Sequence, residues 1–99
     1  MRYAYHMIIG FACKETERIW LGEGSRKLPS HIQKVARRKL RMLNSAANLD
    51  DLRIPPSNRL ELLKGNLKGF YSIRINNQFR LCFVWHEGQA IDVKIMDYH

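Results

Sequence analysis

The chain has 99 residues, 45% of them hydrophobic and 26% charged, which makes one domain with one modest core the expected organisation. A domain this small buries only about 60–70% of its unfolded surface, which excludes a deep substrate cavity and leaves a surface cleft or an open sheet face. Lys and Arg number 17 against 9 Asp and Glu, a formal charge of +8. That excess points to a polyanionic partner, nucleic acid first and an anionic membrane surface second, with plain solubility as the alternative.

No apolar run approaches the ~20 residues that span a bilayer, and no secretory leader pattern is visible. Cys13 and Cys82 lie far apart without a CxxC spacing, which fits reduced, structural thiols in a cytoplasmic protein. Residues 1–6 (MRYAYH) precede a second methionine. Met7 reads as the functional start and the six residues before it as an N-terminal extension of a single domain, 1–99.

Residues 7–12 (MIIGFA) are apolar and β-prone, a short strand. Residues 14–22 (KETERIWLG) form a short helix that buries Ile19, Trp20 and Leu21 and is stopped by Gly22 and Gly24. A second helix starts at Ser30, read as an N-cap with Gln33 completing a capping box. Ile32, Val35, Ala36, Leu40 and Leu43 then recur on one side. Lys34, Arg37, Arg38 and Arg41 fall opposite, a solvated face or an RNA contact. Lys39 lands beside the apolar stripe and is expected to snorkel to solvent. Residues 48–58 are turn-like, with Pro55-Pro56 excluding regular structure. Residues 59–65 make a short strand running into a loop. Three strands follow, at 70–75, 79–85 and 91–96, joined by polar turns at 76–78 and 86–90.

Alternation sets the strand faces. Tyr71, Ile73 and Ile75 share a side with Leu81, Phe83 and Trp85, and with Ile91, Val93 and Ile95. A two-residue turn would pair Ile73 with Arg80 and mix the faces, whereas a loop over 76–78 pairs Ile73 with Leu81. The three-residue loop then places Arg74 opposite Arg80. Like charges directly across a ladder are destabilising, so such a pair points to an anion between them. The same face carries Ser72, Cys82, Lys94 and Tyr98. Cations beside an aromatic ring suit a phosphate backbone and a stacked base. An exposed sheet face with solvated arginines is the alternative.

The chain ends Asp97-Tyr98-His99, three groups able to hold or move protons, with histidine titrating near neutral pH. RNA cleavage by its own 2′-OH needs alignment, proton transfer and charge neutralisation, and no metal. His6, His31, His86 and His99 are scattered, without metal-ligand spacing.

From Met7 to His99 the chain resembles the HigB branch of the RelE-like toxins. The likeness lies in Asn58-Arg59-Leu60-Glu61, Gly69, Ser72-Ile73-Arg74, Asn77-Gln78-Phe79-Arg80-Leu81-Cys82-Phe83 and the closing Asp97-Tyr98-His99, together with the Met-Ile-x-x-Phe start and the loop with Pro55-Pro56. The resemblance implies an α+β fold, two N-terminal helices packed on a twisted, mainly antiparallel sheet of four or five strands. It implies ribosome-dependent mRNA cleavage without a cofactor, and neutralisation by a HigA-like helix-turn-helix antitoxin that alone brings the toxin to operator DNA. It assigns Lys64 to the scissile phosphate, Arg80 to its charge, Asp97, Tyr98 and His99 to the tail needed for activity, and Arg74 to a further basic position. Lys94 joins these as a phosphate contact. Glu61 stands where some relatives carry histidine, which leaves the division of acid and base roles open. The competing reading is a non-enzymatic module that binds nucleic acid or the antitoxin.

Overall fold

A computed structural model describes residues 7–98. The expected extension, 1–6, and the tail residue His99 lie outside the described residues. Strand alternation in the C-terminal half builds a four-stranded antiparallel sheet in the order β1 (Glu61–Leu62), β2 (Tyr71–Arg74), β3 (Phe79–His86), β4 (Gln89–Asp97). Ile73 pairs with Leu81 and Arg74 with Arg80. Asn76 sets this register: its Oδ1 accepts from the backbone N–H of Gln78 at 2.8 Å and of Phe79 at 2.7 Å, a side-chain-closed turn of the kind asparagine favours.

Two helices, α1 (Lys14–Trp20) and α2 (Ser30–Ser45), cover one face of the sheet. Ile32, Ala36, Leu40 and Leu43 of α2 join Ile73, Leu81, Phe83 and Val93 in one hydrophobic core. Thr16 ties α1 to the sheet, its buried hydroxyl accepting from the Ile95 N–H at 2.9 Å. This is the α+β arrangement the sequence implied.

Several local expectations are corrected. A bulge lies between Cys82 and Val84, so that Cys82 pairs with Lys94 but Val84 with Ile91. β4 carries the extra residue, and Asp92 takes φ 53° there. The bulge moves Ile91 off the core side, and fully buried Ala90 takes that place opposite Trp85. Residues 7–12 make no continuous strand. They run parallel to β4 through two isolated bridges, Ile8 with Ala90 and Phe11 with Val93. Leu21 is exposed, since it caps α1 rather than facing the core.

Ser30 is not a capping residue. Pro29 holds the cap position of α2 and no side chain caps it. Gln33 instead binds the preceding loop, its Nε2 donating to the carbonyls of Ser25 and Leu28, both at 2.8 Å. A true capping box occurs in the turn-like segment, between Asn48 and Asp51. Lys39 does not snorkel. It is 6% exposed and donates to Asn58 Oδ1 at 2.5 Å.

Candidate functional site

The sheet face turned away from the helices holds an open cleft of about 350 Å³, lined by Arg59, Glu61, Arg74, Asn76, Asn77, Arg80 and Tyr98. Strand parity brings Glu61, opposite Ser72, onto the same face as Arg74 and Arg80. The β2–β3 turn contributes Asn76 and Asn77, and the tail contributes Tyr98.

Arg80 is the organising side chain. It is only 8% exposed, and three protein acceptors fix its planar fork. Nε donates to Ser72 Oγ at 2.7 Å. Nη2 donates to the Arg59 carbonyl at 2.6 Å and more weakly to that of Ser72 at 3.4 Å. Among the described residues Nη1 has no hydrogen-bond partner, which leaves one edge of the guanidinium for a ligand. The Glu61 carboxylate stands 3.7 Å from Nη2 and is half exposed, so it offsets little of the charge. The Tyr98 ring lies 5.8 Å from the guanidinium carbon, within cation–π range.

Arg74, the cross-strand partner of Arg80, is half-buried and donates to Asn77 Oδ1. Arg74 and Arg80 therefore share one cleft with a third arginine, Arg59, and a single carboxylate among its lining residues. An anion with several acceptor oxygens, a phosphodiester above all, matches planar donors of this kind.

The remaining candidates are distributed unevenly. Tyr98 is 41% exposed and is anchored through its own N–H to the Gln78 carbonyl at 2.6 Å. Asp97 pairs with Phe79, on the core side of the ladder, and its Oδ2 accepts from Gln78 Nε2 at 3.0 Å. The structure thus separates Asp97 from the cleft lining. Lys64 is exposed, preceding a 3-10 turn at Gly65–Leu67, and does not line the cleft. Lys94 shares the arginine face opposite Cys82 but sits over the Phe70 ring, 4.8 Å from its centre. Burial pushes the Cys82 thiol up to about 11, against the opposing pull of Arg80 and Lys94. A thiol held neutral in this way is structural. Among the described residues no three His, Cys, Asp or Glu side chains cluster to hold a metal ion.

Sequence reasoning missed Arg59, Asn76 and Asn77. Arg59 adopts φ 48°, and an arginine in that conformation carries no local signature, unlike glycine. The two asparagines read simply as turn residues. A second cleft of about 350 Å³ lies on the helical layer, lined by Lys34, Arg37, Arg41, Gln33, Gly22, Gly24 and Ile19. It is basic but has no acid–base group beside its cations. No helix of the described residues is long and apolar enough to cross a membrane.

Comparison with known proteins agrees with this geometry. Residues 10–99 match the family model of the RelE-like toxin HigB of type II toxin–antitoxin systems. The chain is 52% identical over 67 residues to Toxin HigB-1 of Vibrio cholerae, covering 68% of this chain and 70% of that protein. It is 41% identical over 78 residues to an uncharacterized protein of Haemophilus influenzae, covering 79% and 76%. Among solved structures, the YoeB–YefM complex from Staphylococcus aureus matches 100% of this chain and 99% of the matched chain with a TM-score of 0.57 at 20% identity, a likeness of fold. The chain belongs to the HigB-like family of RelE-like toxins of type II toxin–antitoxin systems.

Proposed function

We propose that this toxin is a ribosome-dependent endoribonuclease that cuts translated mRNA at the Arg74–Arg80 cleft, by attack of the RNA 2′-OH on the adjacent phosphate. The observation that carries the reading is the buried, triply anchored Arg80 directly across from Arg74. Positive charge fixed in this way supports the reading, because it would oppose the negative charge a phosphorane develops with donors that need no reorganisation.

The reaction is balanced within the substrate. The 2′-oxygen forms a bond to phosphorus, the bond from phosphorus to the 5′-oxygen breaks, and the 2′-OH proton leaves as the 5′-oxygen gains one. Tyr98 or His99 transfers these protons, and Arg80 and Arg74 offset phosphate charge. Lys64 and Lys94 contact the RNA strand beyond the cleft, and Asp97 orders the tail through Gln78. Glu61, half exposed, tempers the charge around Arg80 only slightly. The cleft is open and cannot by itself hold RNA in line, so the ribosome supplies the alignment. No metal or cofactor takes part. The partners are the ribosome with its mRNA and a HigA-like helix-turn-helix antitoxin, which links the toxin to operator DNA. The site of action is the cytoplasm.

End-mapping of mRNA cut in a purified translation system tests this chemistry. Attack by the 2′-OH produces 5′-hydroxyl ends and 2′,3′-cyclic phosphates. Fragments with 5′-phosphates would instead require water as the nucleophile and would overturn the reading.

A further inference from the structure

Lys39 and Asn58 form a buried polar pair that the cleft chemistry does not use directly. Lys39 comes from the middle of α2 and Asn58 from the 3-10 turn immediately before Arg59. Both side chains are withdrawn from water, Lys39 at 6% and Asn58 at 0% exposure. Every polar atom of the asparagine amide is committed. Its Oδ1 accepts from Lys39, and its Nδ2 donates to the carbonyls of Leu52 at 3.1 Å and Ile54 at 3.4 Å. Burial, with Arg38 adding to it, pulls the Lys39 ammonium below its ordinary value. A charge kept in such a place costs stability, and an apolar side chain of similar volume is often as good or better for folding alone. That cost points to a role in shaping something specific.

The next residue shows what is shaped. Arg59 is held at φ 48°, its N–H donating to the Pro56 carbonyl at 3.0 Å. Its carbonyl is the acceptor that fixes Arg80 Nη2. The order of contacts is therefore Lys39 to Asn58, Asn58 through the backbone to the Arg59 carbonyl, and that carbonyl to the Arg80 guanidinium. We infer that Lys39 and Asn58 are positioning residues that aim the Arg80 fork into the cleft, by fixing the Arg59 carbonyl through the adjoining turn. The inference rests on the cleft being the cleavage site only for its effect on rate; the orientation of Arg80 is testable without RNA.

The test uses the full chain labelled with ¹⁵N and follows the Arg80 Nε–H resonance, alongside cleavage in a ribosome system. Lys39→Met removes the donor to Asn58. The expected result is a folded protein in which the Arg80 Nε–H signal shifts or broadens. The cleavage rate at saturating ribosomes falls roughly 10–100-fold, the scale of a misplaced catalytic group, while the ribosome concentration for half-maximal rate stays within about twofold. Lys39→Arg, which keeps the cation and a donor, restores the signal and most of the rate. Asn58→Asp keeps the acceptor for Lys39 but loses the donors to Leu52 and Ile54, and it is read beside Lys39→Met in case the latter does not fold. An Arg80 signal unchanged in either folded variant overturns the inference, whatever the melting temperature does. Loss of folding in both also overturns it, because the pair is then structural only. A shifted Arg80 signal in a protein whose wild type cuts no RNA would sustain the positioning role and defeat the proposed activity instead.

Discussion

Arg74 and Arg80 stand directly opposite each other across the β2–β3 ladder, and only Arg80 is locked into the protein. Ser72 and the Arg59 carbonyl hold Arg80, whereas Arg74 bonds to Asn77 at the cleft edge. The pair thus sets a charge fixed by three acceptors beside one held by Asn77 alone, both lining the same open cleft.

Arg80→Lys keeps the charge but cannot reproduce the fork. One ammonium cannot serve Ser72 Oγ and the Arg59 carbonyl with the same geometry. A buried acceptor left unsatisfied costs about 1–3 kcal/mol, so thermal melting should show lower stability. Cleavage should fall by about 10²–10³, the loss seen when one preorganised charge-stabilising donor is removed. Retained activity in a folded Arg80→Lys would indicate that simple charge is sufficient.

Arg74→Ala should separate function from stability. Removing one of two like charges relieves repulsion on the ladder, worth a few tenths of a kcal/mol or more, and this offsets the lost bond to Asn77. The melting temperature should therefore stay nearly unchanged or rise, while RNA affinity falls. A large destabilisation would show that Arg74 is a structural residue.

Glu61→Gln discriminates between two roles for the carboxylate near Arg80. If it only tempers charge, the amide should strengthen RNA binding roughly 1.4–5-fold, corresponding to a partly exposed ion pair of about 0.2–1 kcal/mol, with cleavage preserved. If Glu61 were the proton acceptor, cleavage would collapse while binding improved.

Cys82 carries a pH signature. Its thiol is raised by burial from an ordinary 9.0 to about 11. The folded state therefore binds more protons than the unfolded chain between these values. The contribution is fully present below pH 9 and is lost as pH rises towards 11. Urea unfolding across that window should show falling stability, and Cys82→Ala should flatten the fall. At pH 8 a thiol reagent should label half-buried Cys13 and leave Cys82 untouched in the native protein.

Much of the cleft was legible because β-strand parity is strict. Once Ile73 had to meet Leu81, Arg74 had to meet Arg80, and Ser72 and Cys82 had to share their face. The bulge at Asp92 escaped notice because Ala90 and Ile91 are both apolar, and either satisfies alternation. The burial of Lys39 is not legible because helical spacing places a residue on a stripe but does not reveal a buried acceptor on a distant loop. Arg59 escaped for a similar reason: its carbonyl, not its side chain, fixes Arg80, and backbone acceptors leave no trace in residue type. Asp97 and Tyr98 are neighbours in the tail, yet the same parity that unites the arginines sends them to opposite sides.

Ribosome-dependent cleavage at this cleft is tested by mRNA cleavage in a purified translation system, with and without ribosomes, comparing the intact chain with one lacking Tyr98 and His99. Cuts are expected only when ribosomes are present, and are lost on truncation with binding to the ribosome retained. Efficient cutting of naked RNA, or undiminished cutting by the truncated chain, would contradict this expectation.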